Sequence, residues 1–161
     1  MLIKKPRANI LLHGIFENSF SKLLKERKAK EVFVLESRPN LVGAKKLCPQ
    51  LLKNKITPVL IADNMAGFLF FKGYLREVWI SYQDSTEENL ICPIGSLVLG
   101  ILAKKHGVAV KAFPMLKKEK AQGGEKSIFC FNGKQTAAKN IKGFVPLVEN
   151  VDKKYISEIY L

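Results

Sequence analysis

The chain has 161 residues and a net charge of +13, with 27 Lys and Arg against 14 Asp and Glu. Its 47% hydrophobic and 25% charged residues are enough for one domain-sized core and exclude a disordered polyelectrolyte. Cys48, Cys92 and Cys130 are far apart and form no C-x-x-C pair, so neither a zinc site nor a secreted disulfide framework is indicated, and a reduced cytoplasmic setting is expected.

In chain order, a β-rich run over 9–12 precedes a segment of helical spacing over 16–28. Phe16, Phe20, Leu23 and Leu24 share one face of that helix, Lys22, Lys25 and Lys28 point outward, and Glu17, Asn18 and Ser19 can start it. A second strand, 31–35, leads through Ser37-Arg38-Pro39-Asn40 into a helix over 41–54 that Pro39 or Asn40 opens. The run 56–62 is apolar on both sides and reads as a central parallel strand. Asp63-Asn64 is the expected N-cap of a helix over 65–72, closed by Gly73. A fourth strand covers 77–81, with Trp79 in the core, and the polar segment 82–89 reads as a loop. Residues 93–106 form a helix with Leu97, Leu99, Ile101 and Leu102 inside and Gly107 as its stop, followed by a strand over 108–113. The lysine-rich 117–126 with Gly123-Gly124 is a surface excursion. β structure resumes at 127–131, and Asp152 caps a last short helix reaching about residue 160. The apolar stretches 10–12 and 65–71 are too short for a signal peptide or a membrane span, so no membrane role is expected.

Repeated βα units with strands apolar on both faces predict an α/β fold over 1–161, a single three-layer Rossmann-like domain with a mostly parallel sheet. Ligands of such sheets bind outside the carboxyl ends of the strands. The residues there are His13-Gly14, Glu36-Ser37-Arg38, Asp63-Asn64, Ser81 to Asp84, and Pro114-Met115.

Three stretches of the chain carry a resemblance. ESRPNLVGAKKL from Glu36, IADNMAGFLFFKG from Ile61 and PIGSLVLGILAKKHGV from Pro93 resemble, in order and spacing, the initiation factor 2B alpha/beta/delta family. FVPLVENVDKKYISEIYL at the C-terminus is similar to that family's closing segment. The family also holds aldose-phosphate isomerases acting on methylthioribose 1-phosphate and ribose 1,5-bisphosphate. The match runs from about residue 10 onward, the family's Rossmann-like C-terminal domain, and its helical N-terminal domain has no counterpart in this sequence.

In the isomerase branch the resemblance implies a catalytic cysteine after the first strand, in T-H-C-N, and an aspartate after the fourth, in G-A-D. It also implies a substrate-binding Asn-Lys pair before the I-G-T helix. The corresponding residues here are His13-Gly14-Ile15, Ser81-Tyr82-Gln83 with Asp84 one place late, and Cys92-Pro93. Val42 stands where a glutamine is often found. Glycine and glutamine cannot relay a proton, so the expected protein is a non-catalytic, regulatory-subunit-like module. It would bind a phosphorylated small molecule or a protein partner and form a homodimer, with the apolar 65–71 helix as the contact element. The alternative is an isomerase with rearranged groups, for which Asp84, Cys92 and His13 are the weak catalytic candidates.

The expected phosphate-binding residues are Ser37 and Arg38 at a strand end, Asp63 and Asn64 beside them, and Gly95 and Ser96 in the first turn of the 93–106 helix. Arg38 could equally pair with Glu36 or Asp63 and order the loops. His13 reads first as a hydrogen-bonded structural histidine, and His106 fits a helix C-terminus. Cys48 and Cys130 read as core thiols, whereas Cys92, before a helix N-terminus, would have a lowered pKa. No cofactor and no metal are expected. Nucleic-acid binding is a further alternative. However, 23 of the 27 cations are lysine, and the basic stretches lack arginine forks and stacking platforms, so Phe129 and Phe131 read as core.

Overall fold

The structure is a computed structural model and describes residues 6–17, 19–138 and 140–161. Its elements in chain order are β1 (Ile10–His13), α1 (Ser19–Glu26), β2 (Glu31–Leu35), a π-turn (Gly43–Leu47) running into α2 (Cys48–Lys53), and β3 (Thr57–Ile61). A 3₁₀ turn (Asp63–Met65) leads into α3 (Ala66–Phe71), followed by β4 (Glu77–Tyr82), β5 (Asp84–Ser85), β6 (Asn89–Pro93), α4 (Ser96–His106) and β7 (Ala109–Pro114). After a 3₁₀ turn (Glu125–Phe129) come the hairpin strands β8 (Cys130–Phe131) and β9 (Lys134–Gln135), then β10 (Val148–Asp152), a 3₁₀ turn (Lys153–Tyr155) and β11 (Glu158–Ile159).

Six strands form one sheet in the order β11-β7-β4-β1-β2-β3, and every pairing in it is parallel. Successive side chains of a strand point to opposite faces, so β1 sends Leu11 to one side and Ile10 and Leu12 to the other. Leu11, Phe33, Val78, Ile80 and Val110 pack under α3 and α4, against Leu69, Phe70, Leu99 and Ala103. Ile10, Leu12, Val32, Val34 and Trp79 pack under α1 and α2, against Phe20, Leu24, Leu47 and Leu51. The result is the three-layer α/β, Rossmann-like architecture expected from the βα rhythm. Among the described residues, no helix is long and apolar enough to cross a membrane.

Several local expectations are corrected. The 56–62 strand is not central: β3 is an edge strand with Leu60 half exposed, and Pro58, which has no N–H to donate, is tolerated there. An apolar run cannot distinguish the two positions when a helix covers part of an edge. The 41–54 helix neither starts at Pro39 nor runs uniformly. Leu41 is left-handed (φ 55°), and Gly43 begins the π-turn where the chain crosses the end of β2. A Cβ on Gly43 would lie 1.8 Å from Leu35 O, so only glycine permits that crossing.

The 16–28 helix is shorter, α1, and Phe16 lies outside it, fully buried in an isolated bridge with Met115. Asn18, one of its expected starting residues, lies outside the described residues. The 82–89 loop is instead the start of a small antiparallel sheet, β10-β6-β5, and this sheet takes up Cys92 and Pro93 before α4 begins. Ile101 is exposed, since the inward face of α4 is Ser96, Leu99, Gly100 and Ala103. Cys130 and Phe131 are exposed on the β8–β9 hairpin and are not core. Asp152 does cap, its carboxylate accepting from Lys154 N, but only one 3₁₀ turn follows before β11 docks on β7.

Candidate functional site

His13 closes β1 at the centre of the sheet and is buried. Its Nε2 lies 3.0 Å from Ile94 O, and a carbonyl only accepts, so Nε2 carries the proton of the neutral ring. That leaves Nδ1 as the acceptor 3.4 Å from Ser37 Oγ. Burial pushes the His13 pKa below its ordinary value, against the weaker upward pull of the Asp63 carboxylate.

Ser37 follows β2 in a left-handed conformation (φ 60°), and a carboxylate holds the turn. Asp63 Oδ1 accepts from Ser37 N at 2.8 Å and Oδ2 from Arg38 N at 2.7 Å. Asp63 therefore does not cap α3; it ties the end of β3 to the end of β2. Arg38 pairs with neither Asp63 nor Glu36 through its guanidinium. Nη1 donates to Cys130 O (3.0 Å), Nη2 donates to Ile128 O (3.4 Å), and the fork lies 5.1 Å from the Phe131 ring centroid. The 128–131 segment is thus strapped across the strand ends by one cation. Glu36 is left with a pKa above the ordinary carboxyl range, because of partial burial and then the Asp63 charge, with Arg38 opposing.

A cleft of about 420 Å³ opens here, lined by His13, Arg38, Asp63, Asn64, Gly95 and Val98 among others. On the other side of Arg38 a narrower hollow is lined by Gly14, Ser37, Asn40, Met115 and Glu119. His13, Arg38 and Ile94 border both. The structure therefore gathers His13, Ser37, Arg38, Asp63, Asn64 and Gly95 in one place.

The α4 N-terminus is a different matter. Gly95 (φ 99°) and Leu97 both donate their N–H to Glu149 Oε1, at 2.7 and 2.9 Å, and the buried Ser96 hydroxyl donates to Pro93 O at 2.7 Å. The donors that suggested a phosphate at Gly95 and Ser96 are occupied by a carboxylate of the chain itself. Cys92 is corrected as well. It is buried in β6, and burial, then the Glu149 charge, pushes its thiol up to about 12 rather than down. Asp84 lies on the exposed β5, outside both hollows, paired with Lys118 at 3.2 Å. Its pKa is lowered by the Ser85 N–H and then by Lys118. Gln83 Oε1 accepts from Glu119 N at 2.8 Å. Gly14 (φ 106°) presses against β4, where Ser81 Oγ accepts from Ile15 N at 3.2 Å. Among the described residues every buried side-chain polar atom has a partner.

Residues 10–159 match the family model described as the Initiation factor 2 subunit family. The chain belongs to that family. Relatives in the initiation factor 2 subunit family include the methylthioribose-1-phosphate isomerase of Carboxydothermus hydrogenoformans, 38% identical over 82 residues, which are 50% of this chain and 24% of that one. The isomerase of Fervidobacterium nodosum is 25% identical over 144 residues, 82% of this chain and 41% of that one. Among solved structures, the delta subunit of translation initiation factor eIF-2B from A. fulgidus superposes with a TM-score of 0.83 at 16% identity. That likeness covers 97% of this chain and 52% of the subunit. The 5-methylthioribose 1-phosphate isomerase of Pyrococcus horikoshii OT3 also gives 0.83, at 20% identity, covering 96% of this chain and 49% of that one. These structural likenesses establish the fold. The chain matches about a quarter to two-fifths of the length of these two isomerases and about half of each of these structures.

Two groups that order the surroundings of this site carry no signal in the sequence pattern. Glu149 sits on β10, whose sequence VENVD is too polar to register as a strand. The 128–131 strap is positioned by Arg38 through carbonyl oxygens, which every residue possesses and no side-chain pattern reports.

Proposed function

We propose that this chain is a non-catalytic member of its family, a regulatory-subunit-like module whose cleft binds a phosphorylated small molecule at Arg38. The observation that carries this reading is the contact between Gly14 and Ser81. Aldose–ketose isomerisation moves a proton between adjacent carbons and needs an acid and a base within reach of the substrate. Where the resemblance implies a cysteine, this chain has Gly14, and Ser81 fills the space a side chain would need. Where it implies an aspartate, Gln83 is engaged with the Glu119 backbone. Asp84 faces Lys118 outside the hollows, and both ring nitrogens of the buried His13 are engaged, one by Ile94 O and the other by Ser37 Oγ. Arg38 borders both hollows with, among the described residues, two neutral carbonyls and the Phe131 ring at its guanidinium, so an incoming dianion offers it stronger, charge-assisted partners.

Incubated with 5-methylthioribose 1-phosphate, the chain is expected to give no ketose product, and sugar phosphates are expected to raise its melting temperature in the wild type and not in Arg38→Ala. The second reading, an isomerase with rearranged groups, is favoured by the 38% identity to the Carboxydothermus isomerase. Product formation that disappears in Asp84→Asn would establish it and end the first. The proposal includes a homodimer through the exposed Met65, Phe68 and Phe71, tested by the mass from light scattering.

A further inference from the structure

β1 and β4 are parallel neighbours with Ile10 opposite Glu77, so the residues leading into the two strands emerge side by side at the amino end of the sheet. Arg76 N donates to Asn9 O at 2.8 Å and locks these leaders together. Between them lies a groove of about 490 Å³, walled by Arg7 and Asn9 on one side and by Gly73, Tyr74 and Arg76 on the other. The four residues of β1 separate it from the His13 cleft by about 13 Å at a strand's rise per residue.

The chain has four arginines, and two of them line this groove, exposed. Neither guanidinium forms an ion pair or hydrogen bond among the described residues. The neighbouring carboxylates are committed elsewhere. Glu31 Oε2 accepts from the Arg7 backbone N–H at 3.0 Å. Glu77, one residue after Arg76 and therefore on the opposite face of the chain, holds Arg27 and accepts from Trp79 Nε1 at 2.7 Å. Among the described residues, no acidic side chain lines the groove. A chain with 23 lysines places two of its four arginines here, two planar forks, each matched to a pair of oxygens. One carboxylate satisfies one fork; a phosphate, with three terminal oxygens and nearly two charges, satisfies both. Gly73 (φ 63°), with open space where a Cβ would stand, leaves the backbone wall accessible.

We propose that the Arg7–Arg76 groove is a second anion site, distinct from the cleft, that takes the phosphate group of a small phosphorylated compound. The test titrates the full chain with inorganic phosphate at constant ionic strength, balanced with chloride, and follows the amide resonances of Ala8, Asn9 and Gly73 and the arginine side-chain N–H groups. Saturable shifts at these positions are expected. They weaken at least about tenfold in affinity in Arg7→Gln/Arg76→Gln and persist in Arg38→Gln, which separates this site from the cleft. Both substituted residues are exposed, and unchanged thermal unfolding without phosphate verifies that the double variant folds. Shifts that grow linearly and spread over the lysine surface, or that survive in the double variant, overturn the proposal. So does binding of a single-stranded oligonucleotide with no response to inorganic phosphate, since the surface would then read a polyanion and not one phosphate group.

Discussion

Gly14 and Ser81 occupy one side chain's worth of space between β1 and β4. A Cβ on Gly14 would stand 1.9 Å from Ser81 Oγ, 2.9 Å from Ser81 Cβ and 3.2 Å from Pro93 Cγ. In the motifs this chain resembles, a cysteine and a glycine stand at these two places. Here the large and small partners are exchanged.

Gly14→Ala is expected to destabilise the protein by about 2–4 kcal/mol, through overpacking and a left-handed backbone. Ser81→Gly removes the obstructing atoms, so the alanine costs less in that background, with a coupling of at least about 1 kcal/mol. Denaturant unfolding of the four members of the cycle measures it. Strict additivity would mean that the contact does not govern the site.

His13 is neutral in the folded protein and free to protonate once unfolded. Because its folded pKa lies below the ordinary value of 6.5, the unfolded state binds more protons in the window just below 6.5. Its contribution to stability is therefore intact above that pH and is lost progressively as pH falls toward the lowered folded value. Unfolding curves between pH 7.5 and pH 5 (both approximate settings) should show this fall, and His13→Gln should flatten it.

The cysteines should separate by burial. Cys92, with its thiol pushed to about 12, and the buried Cys48 are unreactive in the native state, while Cys130 is exposed. A thiol reagent under native conditions should modify Cys130 alone, with Cys48 and Cys92 following only after denaturation. Native modification of Cys92 would contradict its placement in β6.

Cys130 also reports on the strap. Its carbonyl and that of Ile128 are held by Arg38, so Arg38→Ala should free the segment and speed Cys130 labelling by about threefold or more, as expected when local opening becomes easier. An unchanged rate would mean that the hairpin holds its place without the arginine.

Glu149 satisfies two N–H groups at the first turn of α4. Glu149→Ala should cost about 1–2 kcal/mol and Glu149→Gln less, because the amide keeps an acceptor oxygen and loses only the attraction between charge and helix dipole. Thermal unfolding of the two variants, compared with the wild type, checks the order.

What the residues alone determined is the layered architecture. The βα rhythm places β1, β2, β4, β7 and the helices between them, because burial on two faces leaves a periodic trace in neighbouring residues. The strand ends also point to His13, Ser37, Arg38, Asp63 and Asn64, which do border the two adjoining hollows on either side of Arg38. Only the tertiary structure decided what those groups do. It put β3 at the edge, gave Asp63 to the Ser37–Arg38 turn, assigned Glu149 to the α4 N-terminus and buried Cys92. Such assignments depend on which donor and acceptor come within about 3 Å across more than twenty residues of chain, a distance that periodicity does not encode.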